Sequence, residues 1–166
     1  MMNQSLTVFD FTKDADISSW QVVDDVVMGG RSDGNFYLNS EGHAIFEGNV
    51  SLENNGGFSS VRHRTNKTMD VSPYQKVVLK LKGDGNRYQF RIKSQAEDYY
   101  SYIAYFETTG DWQTVEINMN TMYPTFRGRK LDMPNYEGKQ LEELAFLIGN
   151  KKPQNFKLLI DKIVLE

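Results

Sequence analysis

Short stretches that alternate apolar and polar residues, each closed by Gly, Asn, Asp or Pro, dominate this chain. "KVVLKLK" (Lys76–Lys82), "RYQFRIKS" (Arg87–Ser94) and "WQTVEI" (Trp112–Ile117) are examples. A period of two puts residues i and i+2 on one face, which suits a half-buried strand and not a helix. The same pattern marks Leu6–Phe11, Trp20–Val23, Asn35–Asn39, His43–Val50, Gly57–His63, Tyr100–Phe106, Leu144–Ile148 and Phe156–Leu165. "SEG" before His43 and "GDGN" between Lys82 and Arg87 carry the residues that tight turns need, so each predicts a hairpin. "GKQLEELAF" suits one helical turn or the lead-in to a strand. The longest irregular region runs from Asn118 to Gly138 and holds Pro124 and Pro134. About ten or eleven strands at this spacing predict an all-β sandwich or barrel. The length of 166 residues suits one domain, 1–166.

Composition narrows the function classes. Hydrophobic residues make up 39% and aromatics 13%, more aromatic surface than a small core requires, so some is expected to face solvent or a ligand. A net charge of −3 gives no field for nucleic acid or an anionic membrane. The absence of cysteine excludes disulfides, thiolate catalysis and zinc–thiolate sites. No apolar run approaches the ~20 residues of a membrane helix, and the first residues do not read as a signal peptide. The expectation is a cytoplasmic protein without membrane insertion.

Catalytic patterns are weak. His43 and His63 sit at the ends of alternating strands, which suits structural histidines. Ser59, Ser60, His63 and Asp70 supply the residue types of a hydrolytic triad, but no G-x-S-x-G elbow accompanies them. Asp24, Asp25, Asp33, Asp84 and Asn86 leave room for a structural Ca2+, without the EF-hand spacing; Asp and Asn also favour turns. Gly29 and Gly30 beside Arg31 have the composition of an anion nest, but neither dinucleotide nor P-loop spacing is present. No metal ligand set and no cofactor are assigned.

Strand parity is more informative. Arg87, Gln89, Arg91 and Lys93 share one face of their strand, and Tyr88, Phe90 and Ile92 the other. Ser60 and Arg62 oppose Ser59, Val61 and His63, while Ser101, Ile103 and Tyr105 oppose Tyr102, Ala104 and Phe106. One sheet face can therefore carry Arg, Gln and Tyr. Such a surface suits sugars, held by aromatic faces and polar groups, and equally a protein partner, since Tyr, Trp and Arg dominate binding hot spots. Trp20 and Trp112 are each a core residue if buried and a ligand platform if exposed.

Three ordered blocks stand out: "WQVVDDVVMGGRSDG", "AIFEGNVSLENNGGFSSVR" and "WQTVEINMNTMYPTFRGR". Together they resemble the family of the thirty-kilodalton complex I intermediate-associated protein, through Trp20, Asp25, Met28, Gly29, Gly30, Ser32, Phe46, Gly48, Asn54, Gly56, Gly57, Phe58, Ser60, Arg62, Trp112, Arg127 and Gly128. The resemblance implies a galactose-binding-like jelly roll of two antiparallel sheets. It implies a non-enzymatic assembly factor with a protein partner, such as a respiratory-complex subunit. Related jelly rolls bind sugars at a loop end or on a concave face, so a carbohydrate-binding module is the alternative, and a small-molecule enzyme is a third reading. A chain without a transit-like leader fits a free-standing bacterial member.

The shared blocks point to Asp25, Met28, Ser32, Asn54, Arg62 and Arg127 for ligand or partner contact, and strand parity adds Arg91. The blocks also point to Gly29, Gly30, Gly56, Gly57 and Gly128 for structural roles. Arg62 is the leading contact residue, unless it is buried in an ion pair with Asp25 or another carboxylate.

Overall fold

The computed structural model describes residues 5–25, 32–53 and 57–166. Met28, Gly29, Gly30, Asn54 and Gly56 lie outside them. Thirteen strands are described in chain order: β1 (Leu6–Asp10), β2 (Trp20–Asp24), β3 (Asp33–Leu38), β4 (Ala44–Val50), β5 (Ser59–Asp70), β6 (Lys76–Lys82), β7 (Arg87–Lys93), β8 (Ser101–Glu107), β9 (Trp112–Asn118), β10 (Tyr123–Phe126), β11 (Arg129–Lys130), β12 (Gln140–Ile148) and β13 (Gln154–Leu165). They form two antiparallel sheets of a jelly-roll sandwich. The six-stranded sheet runs β3-β4-β13-β6-β9, with β1 also paired to β13. The seven-stranded sheet runs β11-β10-β8-β7-β12-β5-β2. The long β13 pairs through Gln154–Ile160 with β4 and through Leu159–Leu165 with β6. Both sheets thus place a late strand, β12 or β13, in their interior. Among the described residues no helix is long and apolar enough to cross a membrane.

Alternation builds the core. Leu79, Leu81, Leu158, Ile160 and Ile163 project from one sheet and Phe90, Ile92, Leu144, Phe146 and Ile148 from the other, all essentially inaccessible. Trp20 lies in an aromatic nest, stacked on Phe36 and His63, each with ring centroids 5.1 Å away, and edge-on to Phe9 at 5.5 Å. Burial holds the His63 imidazole below its ordinary pKa, against a hydrogen bond to the Ser19 backbone that acts the other way. His63 is therefore a half-buried structural histidine at the margin of the core.

The turn "GDGN" is not a hairpin. Its two flanking strands belong to different sheets, β6 beside β13 and β9, β7 beside β12 and β8. The turn is an arch across the sandwich, held by Thr108, whose Oγ1 accepts from the Asp84 and Gly85 amides and donates to the Asn86 carbonyl. "GKQLEELAF" is strand β12, and "SEG" does join paired strands, β3 and β4. The Asn118–Gly138 region contains a 3-10 turn at Met119–Thr121 and the hairpin β10–β11. That hairpin turns at Arg127 and Gly128, with φ of 50° and 78°; two positive φ values are what a tight two-residue hairpin requires.

Gly48 has a packing reason of its own. A Cβ there would stand 1.8 Å from the Asp33 carbonyl oxygen, a backbone atom on the paired strand. Gly48→Ala is expected to separate β3 from β4 and cost about 1–3 kcal/mol, measurable as a lower urea midpoint at unchanged m-value.

Candidate functional site

The outer face of the seven-stranded sheet gathers the side chains that parity assigned to one side. Cross-strand register sets Gln21 opposite Arg62, Arg62 opposite Ala145, Ala145 opposite Arg91, Arg91 opposite Ile103, and Ile103 opposite Tyr123. This row crosses six strands, a span of ~24 Å at the usual strand spacing. On one side of it lies a second row, Val23, Ser60, Leu147, Gln89 and Tyr105. On the other side Glu143 is paired with both Arg64 and Lys93. Ala145, Leu147 and Ile103 are buried yet lie outside the core cluster, so the long polar side chains around them form their cover. Tyr105 is 41% exposed, which opens the face to solvent.

The electrostatics are lopsided. Arg64 Nε donates to Glu143 Oε1 at 2.8 Å, and Arg62 Nη1 stands 3.9 Å from the same oxygen. Arg62 Nη2 donates to Gln21 Oε1 at 3.1 Å. Lys93 Nζ donates to the Asp98 carbonyl at 2.7 Å. Burial lowers the pKa of Lys93; Glu143 opposes this, while Arg64, Arg91 and Arg62 push it further down. Burial likewise lowers Arg91, against the attraction of Glu143 and Tyr105. The Nε of Arg62 and of Arg91 are buried and have no hydrogen-bond partner among the described residues. An unsatisfied buried donor costs about 1–3 kcal/mol. Beside them the Arg87 guanidinium lies 4.1 Å from the Tyr105 ring centroid, and Gln89 Nε2 donates to the Tyr105 hydroxyl at 3.3 Å.

Asp25 does not join this group. Its side chain is buried and accepts from the Ser32 amide at 2.9 Å, the Gly57 amide at 2.7 Å, the Phe58 amide at 3.2 Å and the Ser32 hydroxyl. Burial alone would raise its pKa, but these four donors outweigh it and hold the carboxyl below the ordinary carboxylate value. Asp25 and Ser32 therefore fasten the segments at 32 and 57 together. Arg62 does not pair with Asp25: β5 parity sends it to the outer face, where it meets Gln21 and another carboxylate, Glu143. Gly57, with φ of 147°, supplies one of the amides. Arg127 is exposed at the β10–β11 turn against Phe126, on the far side of β10, four strands from β5.

Other candidate residues are engaged elsewhere. Asp24 accepts from Ser59 Oγ at 2.5 Å and the Gly34 amide at 2.8 Å. Asp84 accepts from the Asn86 amide, Tyr88 hydroxyl and Lys157 amide. Among the described residues no group of three His, Asp or Glu is arranged for a metal ion. Ser60 Oγ donates to the Val23 carbonyl and Asp70 accepts from Ser72, so the triad types do not assemble. Trp112, 39% exposed, stands on the six-stranded sheet against the His43 ring at 4.6 Å, not on the outer face of the other sheet. A cavity of about 320 Å³, bordered by Asp98, Tyr100, Met133 and Tyr136, also lies away from both rows.

Residues 9–160 match the family model of complex I intermediate-associated protein 30 (CIA30). The chain belongs to the CIA30 family. Two family relatives are the mitochondrial CIA30 proteins of Drosophila melanogaster, 25% identical over 96% of this chain, and Mus musculus, 23% identical over 98%. The chain spans 62% and 56% of their lengths. In three dimensions this CIA30 domain is similar to a family 11 carbohydrate-binding module from Clostridium thermocellum, solved with a β-1,3-1,4-mixed-linked tetrasaccharide. The TM-score is 0.69 at 15% identity, covering 97% of this chain and 94% of that one. That likeness establishes a shared fold.

Gln89, Tyr105 and Glu143 complete the face from outside the three sequence blocks, and Gln21 and Tyr123 lie within blocks but are not among the residues that carry the resemblance. Glu143 could have been found from parity, since within "LEELAFLI" it shares its side with Ala145 and Leu147 and not with the core residues Leu144, Phe146 and Ile148.

Proposed function

We propose that this domain is a carbohydrate-binding module whose ligand lies across the outer face of the seven-stranded sheet. The observation that supports it is the row Gln21, Arg62, Arg91, Tyr123 with Gln89 and Tyr105 alongside, an array of polar donors and aromatic rings from which Tyr105 stands exposed. Sugars present hydroxyls to such donors and a C–H face to the rings. The shared fold with a module solved with a tetrasaccharide agrees with this reading, by analogy of fold.

The test is a glycan array followed by calorimetry. Tyr105→Ala and Arg62→Ala are each expected to weaken the best glycan at least tenfold while leaving the melting temperature within a few degrees. Unchanged affinity in both variants would move the site elsewhere. No binding to any glycan would leave the second reading, favoured by the CIA30 family itself: an assembly factor contacting a protein such as a respiratory-complex subunit. That reading predicts a specific partner in a pull-down at physiological salt.

A further inference from the structure

The outer face is cationic in a chain whose net charge is −3. Arg62, Arg64, Arg91 and Lys93 all lie around the single carboxylate Glu143. Four cations about one anion, partly removed from water, repel one another, and water screens them poorly. Pairing for stability alone would set one carboxylate against each cation. Here the Arg62 and Arg91 Nε donors also lack acceptors among the described residues. The cluster has an excess of positive charge and of donors, and a ligand bringing carboxylates would supply both missing components.

Building on the sugar-binding reading, we infer that the ligand is an acidic oligosaccharide, a chain of uronic-acid residues whose carboxylates seat on Arg62, Arg91 and Arg64. A planar carboxylate accepts two parallel bonds from one guanidinium. Ala145 lies between Arg62 and Arg91 in the row, so the two arginines stand two strands apart, about 10 Å at the usual strand spacing. An acidic peptide fits less well. The backbone of β5, β12 and β7 is paired on both sides within the sheet, so a peptide lying on this face would find no backbone ladder for its own amides. A sugar carries no such amide row.

The experiment is calorimetry on the whole chain with three probes: an oligogalacturonate, a neutral mixed-linked β-glucan oligosaccharide of equal length, and a poly-glutamate peptide. The oligogalacturonate is expected to bind at least tenfold more tightly than either, and to weaken as salt rises. Arg64→Gln, at a half-exposed position, is expected to weaken it at least threefold. Glu143→Gln is expected to tighten it, an effect that loss of a structural contact would not produce. Equal or tighter binding of the neutral glucan overturns the acidic ligand while leaving the sugar-binding reading standing. Tighter binding of poly-glutamate overturns both, and no binding of any probe overturns the acidic ligand while the glycan array decides the sugar-binding reading.

Discussion

Trp20→Ala lowers the unfolding free energy by about 3–5 kcal/mol, a large share of the ~5–15 kcal/mol that holds a domain of this size. The ring is 7% exposed and touches both sheets: His63 and Phe146 on one side, Phe36 on the other. Removing it leaves a hole whose walls are rings from four strands, and rigid rings relax poorly into a void. Its indole N–H has no partner among the described residues, so no hydrogen bond is lost to complicate the comparison. Trp112→Ala serves as the control: exposed on an edge strand, it is expected to change stability by less than about 0.5 kcal/mol. Urea denaturation of both variants reads the contrast, and equal losses would refute this account of the core.

Asp25→Ala is the second large effect. Four donors point at one carboxylate, and deleting it leaves the Gly57 and Phe58 amides and the Ser32 amide and hydroxyl without their acceptor. The expected cost is about 3 kcal/mol or more, since each donor left buried and unpaired costs about 1–3 kcal/mol. Asp25→Asn gives the pH signature. The native carboxyl titrates below its unfolded value, so its stabilisation is fully present above about pH 4 and is lost as pH falls through the native pKa. The wild type should therefore lose stability on acidification below about pH 4, and Asp25→Asn should lose less over the same range. Parallel curves for the two proteins would show that the carboxylate charge contributes nothing.

Alternation made the two-layer β architecture legible, because residues such as Phe90, Ile92 and Phe46 repeat with period two and bury one face. It could not tell which sheet a strand joins. "GDGN" has the residues of a hairpin, yet the chain crosses the sandwich there, and position 83 needs glycine because a Cβ would meet Thr108 at 2.2 Å, a contact between segments 25 residues apart. The second half of β5, "RTNKTMD", is too polar to read as a strand, and it is one because β12 pairs with it as far as Asp70. Parity correctly grouped Gln89, Arg91 and Lys93, and Ser60 with Arg62. That Arg62 and Arg91 flank the same residue, Ala145, depends on register, which is a property of paired strands and not of either strand alone.

The arrangement of β12 and β13 bears on how the molecule is made. Each is an interior strand of its sheet, and each follows in the chain every strand it pairs with. Until residues 140–165 emerge during synthesis, β5 has no link to β7 and β4 has none to β6, so four open strand edges wait together. Such long-range pairing folds slowly, and the waiting edges can pair with those of another chain. The nascent protein should therefore need shielding until its final strands are released, and a ribosome stalled before residue 140 should display an aggregation-prone intermediate in place of a partly finished sandwich.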